Sequence, residues 1–218
     1  MSRTRSLKRC FQYFSDLHLE RKRDLPKIPQ HADNLLLAGD IGHPDMENYQ
    51  EFFEEVNKRY DRVFVVDGNH EWDQGRPDPE RFKHLPNVIL LNNQHYEWNG
   101  VVVIGATLWT EATRAYEHVR SVDFLSKTLE AYEPFDDKPV IVLTHHLPSW
   151  HLIAPQYRHF SPKVLERYAS HLDYLFYRKS SPDVWVCGHS HSLMNRKMGL
   201  TQCVINTLGQ KYFTKICL

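Results

Sequence analysis

The sequence predicts an α/β fold. Three observations carry that expectation. Compact apolar runs too short for helices recur along the chain. Amphipathic stretches with helical spacing separate several of them. Each of the first three runs ends directly in a polar motif. Cys10–Phe14, Leu35–Ala38 and Val63–Val66 read as buried strands. Between the second and third, Met46–Tyr60 places Phe52, Phe53 and Val56 on one helical face among charges. Strand, loop, strand, helix, strand is the order of an α/β unit.

The remaining elements follow in order. Gln74-Gly75-Arg76-Pro77-Asp78-Pro79 is a surface loop, after which Pro79 opens a short helix through His84. Val88–Leu91 and Val101–Ile104 read as two strands whose connection contains Asn99-Gly100, a turn that suits adjacent antiparallel strands although the connection is too long for a tight hairpin. Ala112–Tyr132 is the longest helical stretch. Val140–Leu143 is a buried strand that runs into Thr144-His145-His146. Helical segments are expected at Ser161–Ala169 and His171–Tyr177, with the Tyr168–Tyr177 aromatics in the core. Val184–Cys187, Cys203–Asn206 and Tyr212–Cys217 complete the strands.

The chain has 218 residues, fitting one domain over 1–218 with its motifs at 16–191 and a frayed basic terminus at 1–8. Lys+Arg and Asp+Glu balance at 27 each, so a nucleic-acid partner is possible but not favoured. No apolar run reaches the length of a membrane span, and no signal-peptide core follows the basic start. The expected setting is the cytoplasm, with no membrane partner. Cys10, Cys187, Cys203 and Cys217 form no CxxC pair and read as buried, reduced thiols.

The chemistry lies in five motifs: Asp16-Leu17-His18, Gly39-Asp40, Gly68-Asn69-His70-Glu71, His145-His146 and Gly188-His189-Ser190-His191. On an extended strand end, residues i and i+2 project to one side, so Asp16 pairs with His18 and His189 with His191. Glycine before Asp40 and before Asn69 permits a sharp turn or a close approach. In α/β sheets, ligands collect beyond the carboxyl ends of the strands. Imidazole, carboxylate and carboxamide donors without thiolate suit Mn, Fe, Zn, Co or Ni. Two divalent ions against Asp16, Asp40 and a bridging hydroxide leave a positive charge, which favours a phosphate oxyanion. Metal coordination also makes that hydroxide available near neutral pH. His70, adjacent to Asn69, is placed to face the substrate as a general acid.

In this order the motifs resemble the calcineurin-like metallophosphoesterases. The resemblance implies a four-layer α/β/β/α sandwich of two mixed β-sheets flanked by helices, with a dinuclear site at strand ends. Carried over by position, it implies one metal held by Asp16, His18, Asp40 and His191. The second is held by Asp40, Asn69, His145 and His189, with His70 catalytic. His145 is taken as the ligand at the paired histidines and His146 as its neighbour. The implied activity is metal-dependent hydrolysis of phosphomonoesters or phosphodiesters by a metal-bridging hydroxide. The substrate is a small molecule, a nucleotide or a phosphoprotein. A nuclease of the same superfamily and a catalytically silent scaffold are the alternatives. One departure stands out: His43 occupies the position where many phosphoprotein phosphatases of the superfamily carry the aspartate that orients the catalytic histidine. Asp45 and Glu71 are the carboxylates considered as substitutes.

Softer candidates lie outside the motifs. Trp109 either walls a cleft or packs in the core. Trp150, His151, Tyr157, Arg158 and His159 fall where a substrate-facing loop would lie, with Arg158 available to a phosphate or carboxylate.

Overall fold

The computed structural model describes residues 9–132, 138–207 and 215–218. Two sheets stack face to face. The first contains parallel β1 (Cys10–Phe14), β2 (Asn34–Ala38), β3 (Arg62–Val66) and β4 (Val88–Leu90). The last strand, β11 (Lys215–Cys217), adds antiparallel to β1, giving the order β11-β1-β2-β3-β4. In the second sheet, β6 (Val101–Ala106), β7 (Val140–Thr144), β8 (Val184–Cys187) and β10 (Thr201–Asn206) run parallel. Antiparallel β5 (Gln94–Trp98) and β9 (Leu193–Met198) form its edges, giving β5-β6-β7-β8-β10-β9.

Strand periodicity sorts the core into layers, because alternate side chains point to opposite faces. Phe11, Tyr13, Leu36, Phe64 and Val66 meet Val101, Val103, Ile141, Val184 and Val204 between the sheets. The other face of the first sheet, with Leu35, Leu37, Val63 and Val65, packs on α1 (Glu47–Arg59) through Tyr49, Phe52, Phe53 and Val56. Fully burying a side chain such as Phe53 contributes about 1.5–3 kcal/mol. The outer face of the second sheet packs on α2 (Glu111–Ala131) through Leu125 and Leu129. The result is the expected α/β/β/α sandwich.

Several local expectations are corrected. Val88–Leu90 does not pair with Val101–Ala106; the two strands belong to different sheets. The Asn99-Gly100 turn instead joins β5 to β6 as a tight hairpin in which Trp98 faces Val101. Asn99 (φ 51°) and Gly100 (φ 73°) both take left-handed backbone, as such a turn requires. Strand β5 was missed because its residues, Gln94 to Trp98, are polar and aromatic on an edge. Pro79–His84 forms successive turns and no helix. Ser161–Ala169 shrinks to one helical turn at Pro162–Leu165, and His171–Tyr177 to a 3-10 turn at Asp173–Phe176. Of the aromatics there, Phe176 is core, whereas Tyr168, Tyr174 and Tyr177 are exposed.

The cysteines also differ from expectation. Cys10 and Cys217 lie directly opposite each other in β1 and β11 and form a disulfide across 207 residues of sequence. Only strand pairing brings them together, so spacing held no sign of it. Such a bond fits an oxidising environment better than a reducing one. Cys187 and Cys203 are free and buried as predicted. Burial pushes the Cys203 thiol up to about 12. Among the described residues no helix is long and apolar enough to cross a membrane. The basic segment 1–8 lies outside the described residues, as do 212–214 of the last predicted strand.

Candidate metal centre

The motif residues converge at the carboxyl ends of β1, β2, β3, β7 and β8. Their side chains form two groups whose donor atoms lie within 4.8 Å of one another: Asp16, His18 and His191 in one, Asp40, His145 and His189 in the other. In the first, His18 Nε2 lies 3.1 Å from His191 Nε2, and His191 Nε2 lies 3.4 Å from Asp16 Oδ1. In the second, His145 Nε2 is 3.1 Å from both Asn69 Oδ1 and His189 Nδ1 and 3.3 Å from Asp40 Oδ2. The His189 amide donates to Asp16 Oδ1 at 3.1 Å, tying the groups together. All seven residues thus lie together at one rim, with Asp40 grouped beside His145 and His189.

The backbone achieves this differently from the extended geometry expected. Asp16, His18, Asp40, His189 and His191 all have positive φ, between 44° and 62°. Left-handed backbone is rare outside glycine and costs about 1–3 kcal/mol per residue. Five such residues at one rim turn the side chains inward where straight strands would carry them past. Gly39 itself has φ 80°, whereas Gly68 is needed for space. A Cβ at Gly68 would fall onto the Asp40 carboxylate and 2.8 Å from the His145 ring.

Glu71 secures the two loops that carry Asp40 and Asn69. Its carboxylate accepts from the amides of Asp40 (3.0 Å), Ile41 (2.7 Å), Gly42 (3.4 Å) and Gly68 (2.6 Å). It is therefore spent on backbone and does not orient His70. Asp45 does not take that role either. The carboxylates beside His70 are Asp73, with Oδ2 3.0 Å from Nδ1, and Glu20, with Oε1 3.5 Å from Nδ1. His43 shares Asp73, its Nε2 lying 3.3 Å from the same oxygen. The His70 amide donates to Asp40 Oδ1 at 2.9 Å, and its Nε2 stands 4.0 Å from Asp40 Oδ2. Asp73 was missed, although its i+3 spacing from His70 across the 3-10 turn His70–Trp72 held the signal.

The two adjacent histidines separate clearly. His145 Nδ1 meets the Ala38 carbonyl at 2.9 Å, which turns Nε2 toward the donors. His146 Nδ1 lies 3.3 Å from the Thr107 carbonyl, and its ring rests against His189 at 4.4 Å between centroids. Burial pushes Asp16 up to about 7, with the Asp40 charge adding to it and the His145 charge opposing. His145 rises to about 9: burial opposes protonation, but the Asp40 charge beside it outweighs burial. Burial and the His145 charge hold His146 down to about 3. In the metal-free site, then, a proton on His145 balances Asp40.

Imidazole and carboxylate atoms converging without a thiolate make a donor set that suits borderline divalent ions. The sites expected beyond the motifs fare differently. Arg158 donates to the carbonyls of Ile153 and His151, so it serves the local loop. Trp109 is buried but lines a cavity shared with Asn69 and His189.

A four-layer sandwich with His/carboxylate clusters at its strand ends defines a class of metal-site hydrolase folds. The chain belongs to the calcineurin-like phosphoesterases, the family it matches over residues 6–193. Its structure is similar to the phosphopantetheinyl hydrolase of Mycobacterium tuberculosis, with a TM-score of 0.68 and 17% identity over 93% of this chain and 90% of that one. It is also similar to a Staphylococcus aureus protein assigned as a 5′-nucleotidase, with a TM-score of 0.58 and 18% identity over 90% of this chain and 48% of that one. At these identities the likeness is one of fold. In sequence it is 27% identical to the uncharacterised protein L509 of Acanthamoeba polyphaga mimivirus, over 84% of this chain and 85% of that protein.

Proposed function

We propose that the protein is a hydrolase of phosphate esters that works with two divalent metal ions. The observation that carries this reading is the placement of Asp40. Its carboxylate lies 3.3 Å from His145 Nε2 and accepts from the His70 amide at 2.9 Å, and its charge acts on His18 and His191 of the other set. Asp16, His18 and His191 would hold one ion; Asn69, His145 and His189 the other; Asp40 would serve both. Bound ions would supply positive charge to the phosphoryl oxygens and lower the pKa of a water to near neutrality.

The chain's own residues do the rest. His70 projects beside Asp40 with Nδ1 toward Asp73, leaving Nε2 to meet a leaving-group oxygen and deliver a proton. General acid assistance of this kind is worth about 100- to 10,000-fold. Glu71 keeps both ligand-bearing loops in place. Mn, Fe, Zn, Co and Ni are the ions that the donor set favours.

The test is a turnover panel on metal-loaded protein, with an aryl phosphate monoester, an aryl phosphodiester, a nucleotide, a phosphopeptide and single-stranded DNA as substrates. Hydrolysis of an aryl ester that requires added metal is the expected result. Absence of turnover on every substrate with every one of the five metals would refute the proposal. Faster cleavage of single-stranded DNA than of any small ester would replace it with the nuclease reading.

A further inference from the structure

A cavity of about 510 Å³ opens on the donor rim, floored by Asn69 and His189 and walled by Trp72, Trp109 and Tyr168. That volume is in the range of small-molecule sites. Its walls are fixed. Trp72 and Trp109 are almost fully buried and meet edge to face at 5.6 Å. The Trp72 indole N–H donates to Asp67 at 3.3 Å, and Asp67 is itself ion-paired with buried Arg81. Tyr168 rests on the His189 ring at 4.7 Å.

Arg114 crosses this wall. Its guanidinium carbon stands 4.9 Å from the Trp72 ring centre and 4.8 Å from that of Trp109. The backbone helps to put it there: Arg114 leaves helical geometry (φ −145°, ψ 78°), so α2 kinks at this residue. Stacking on two indoles holds the cation without neutralising it. Arg167 lines the same cavity. Among the described residues neither guanidinium is paired with a carboxylate. The acid that does line the cavity, Asp73, is engaged by His43 and His70.

We infer that this cavity receives the leaving group of the substrate, and that the leaving group carries an anionic group beside a flat or apolar portion. Arg114 and Arg167 are the specificity-determining residues for that anion. A planar guanidinium matches carboxylate or phosphate oxygens in a two-point contact. Tyr168, with the indole edges that Arg114 leaves uncovered, borders the flat portion. Two indoles alone would suit a quaternary ammonium, but Arg114 occupies their faces and repels a cation.

The inference rests on the phosphoesterase reading, and the test separates the two. Mn²⁺-loaded protein is given phenyl phosphate, 4-carboxyphenyl phosphate and 4-(trimethylammonio)phenyl phosphate, which differ in the charge on the ring. The wild type is expected to prefer the carboxylate ester over phenyl phosphate by about tenfold in kcat/KM, chiefly through KM, and to disfavour the cationic ester. R114A should bring the carboxylate preference close to one, and R114K should recover part of it. Non-hydrolysable 4-carboxybenzylphosphonate should quench tryptophan fluorescence of the wild type and bind about tenfold more weakly to R114A. R167Q leaves the indole stack intact and repeats the comparison should R114A fail to fold. No turnover of any ester would refute the phosphoesterase reading itself. Turnover with the same carboxylate preference and the same phosphonate affinity in wild type, R114A and R167Q would overturn the inference and leave that reading standing.

Discussion

The two donor clusters straddle the same pair of sheets and use the same residue types, yet one is enclosed and the other opens to solvent at His191 while Asp16 and His18 stay buried. His145 and Asp40 are 0% and 2% exposed, whereas His191 in the other cluster is 48% exposed. Their backbones differ as well. Asp16, His18 and His191, the whole open cluster, are left-handed. The enclosed cluster takes Asp40 and His189 from left-handed backbone as well, but draws His145 from the end of a regular strand and Asn69 from right-handed backbone, with φ −75°. Left-handed backbone thus serves every residue of the open cluster but only half of the enclosed one, where burial of His145 and Asp40 does more. The enclosed site is set in the core; the other reaches solvent through His191.

This contrast is broken most forcefully at the enclosed cluster. His145→Ala leaves the Asp40 carboxylate buried without its partner, which costs about 3–5 kcal/mol. Its melting temperature should fall by about 10 °C, given 2–4 °C per kcal/mol at this size. His191→Ala should melt within about 2 °C of wild type in the metal-free state, because its side chain packs little. Thermal melts of the two metal-free variants decide it; equal losses would erase the distinction.

Glu71→Gln sharpens the same point from beneath the site. The new amide sets an N–H against backbone N–H groups, so about 2–3 kcal/mol is expected to be lost. Metal affinity should drop by about 10- to 100-fold, as for other residues that support ligands from behind. Calorimetric metal titration of this variant checks it.

The pH response comes next. Asp16 rises from 3.8 to about 7 and His145 from 6.5 to about 9, so the folded metal-free protein holds more protons than the unfolded chain between these values. Its stability should therefore fall as pH rises from about 6.5 to 9. Bound metal would replace those protons and is expected to flatten or reverse the slope. Melting curves across that range, with and without Mn²⁺, test both signs.

The smallest effect is a gain. His191→Gly relieves left-handed strain of about 1–2 kcal/mol but adds about 0.5–1 kcal/mol of unfolded-chain entropy. The metal-free variant should be more stable by up to about 1 kcal/mol while losing the imidazole proposed as a metal donor. Urea unfolding measures it.

How much of this was legible in the sequence depends on what each residue needed. The buried strands and both long helices were readable because each carries its apolar pattern within its own residues, even where α2 kinks at Arg114. The motif residues were readable because their His, Asp and Asn side chains follow apolar runs that become strand ends, where the fold gathers them at one rim. What escaped depended on tertiary placement. Nothing local marks Cys10 and Cys217 as partners, since they meet only through the pairing of β11 with β1 across 207 residues of sequence. Polar β5 offers no apolar alternation. Left-handed Asp16, His18 and His191 look in sequence like any strand end. Asp73 and Arg114 gain meaning only beside His70 and the two tryptophans.

The central claim is that Asp40 joins two metal sites. Its most direct test is the number of ions retained per chain by Asp40→Asn and by wild type after Mn²⁺ loading and desalting. The account predicts two ions for wild type and fewer than one for the variant, with turnover of an aryl phosphate reduced by more than about 100-fold, beyond the loss typical of a supporting residue. Two ions and near-normal turnover in Asp40→Asn would contradict it.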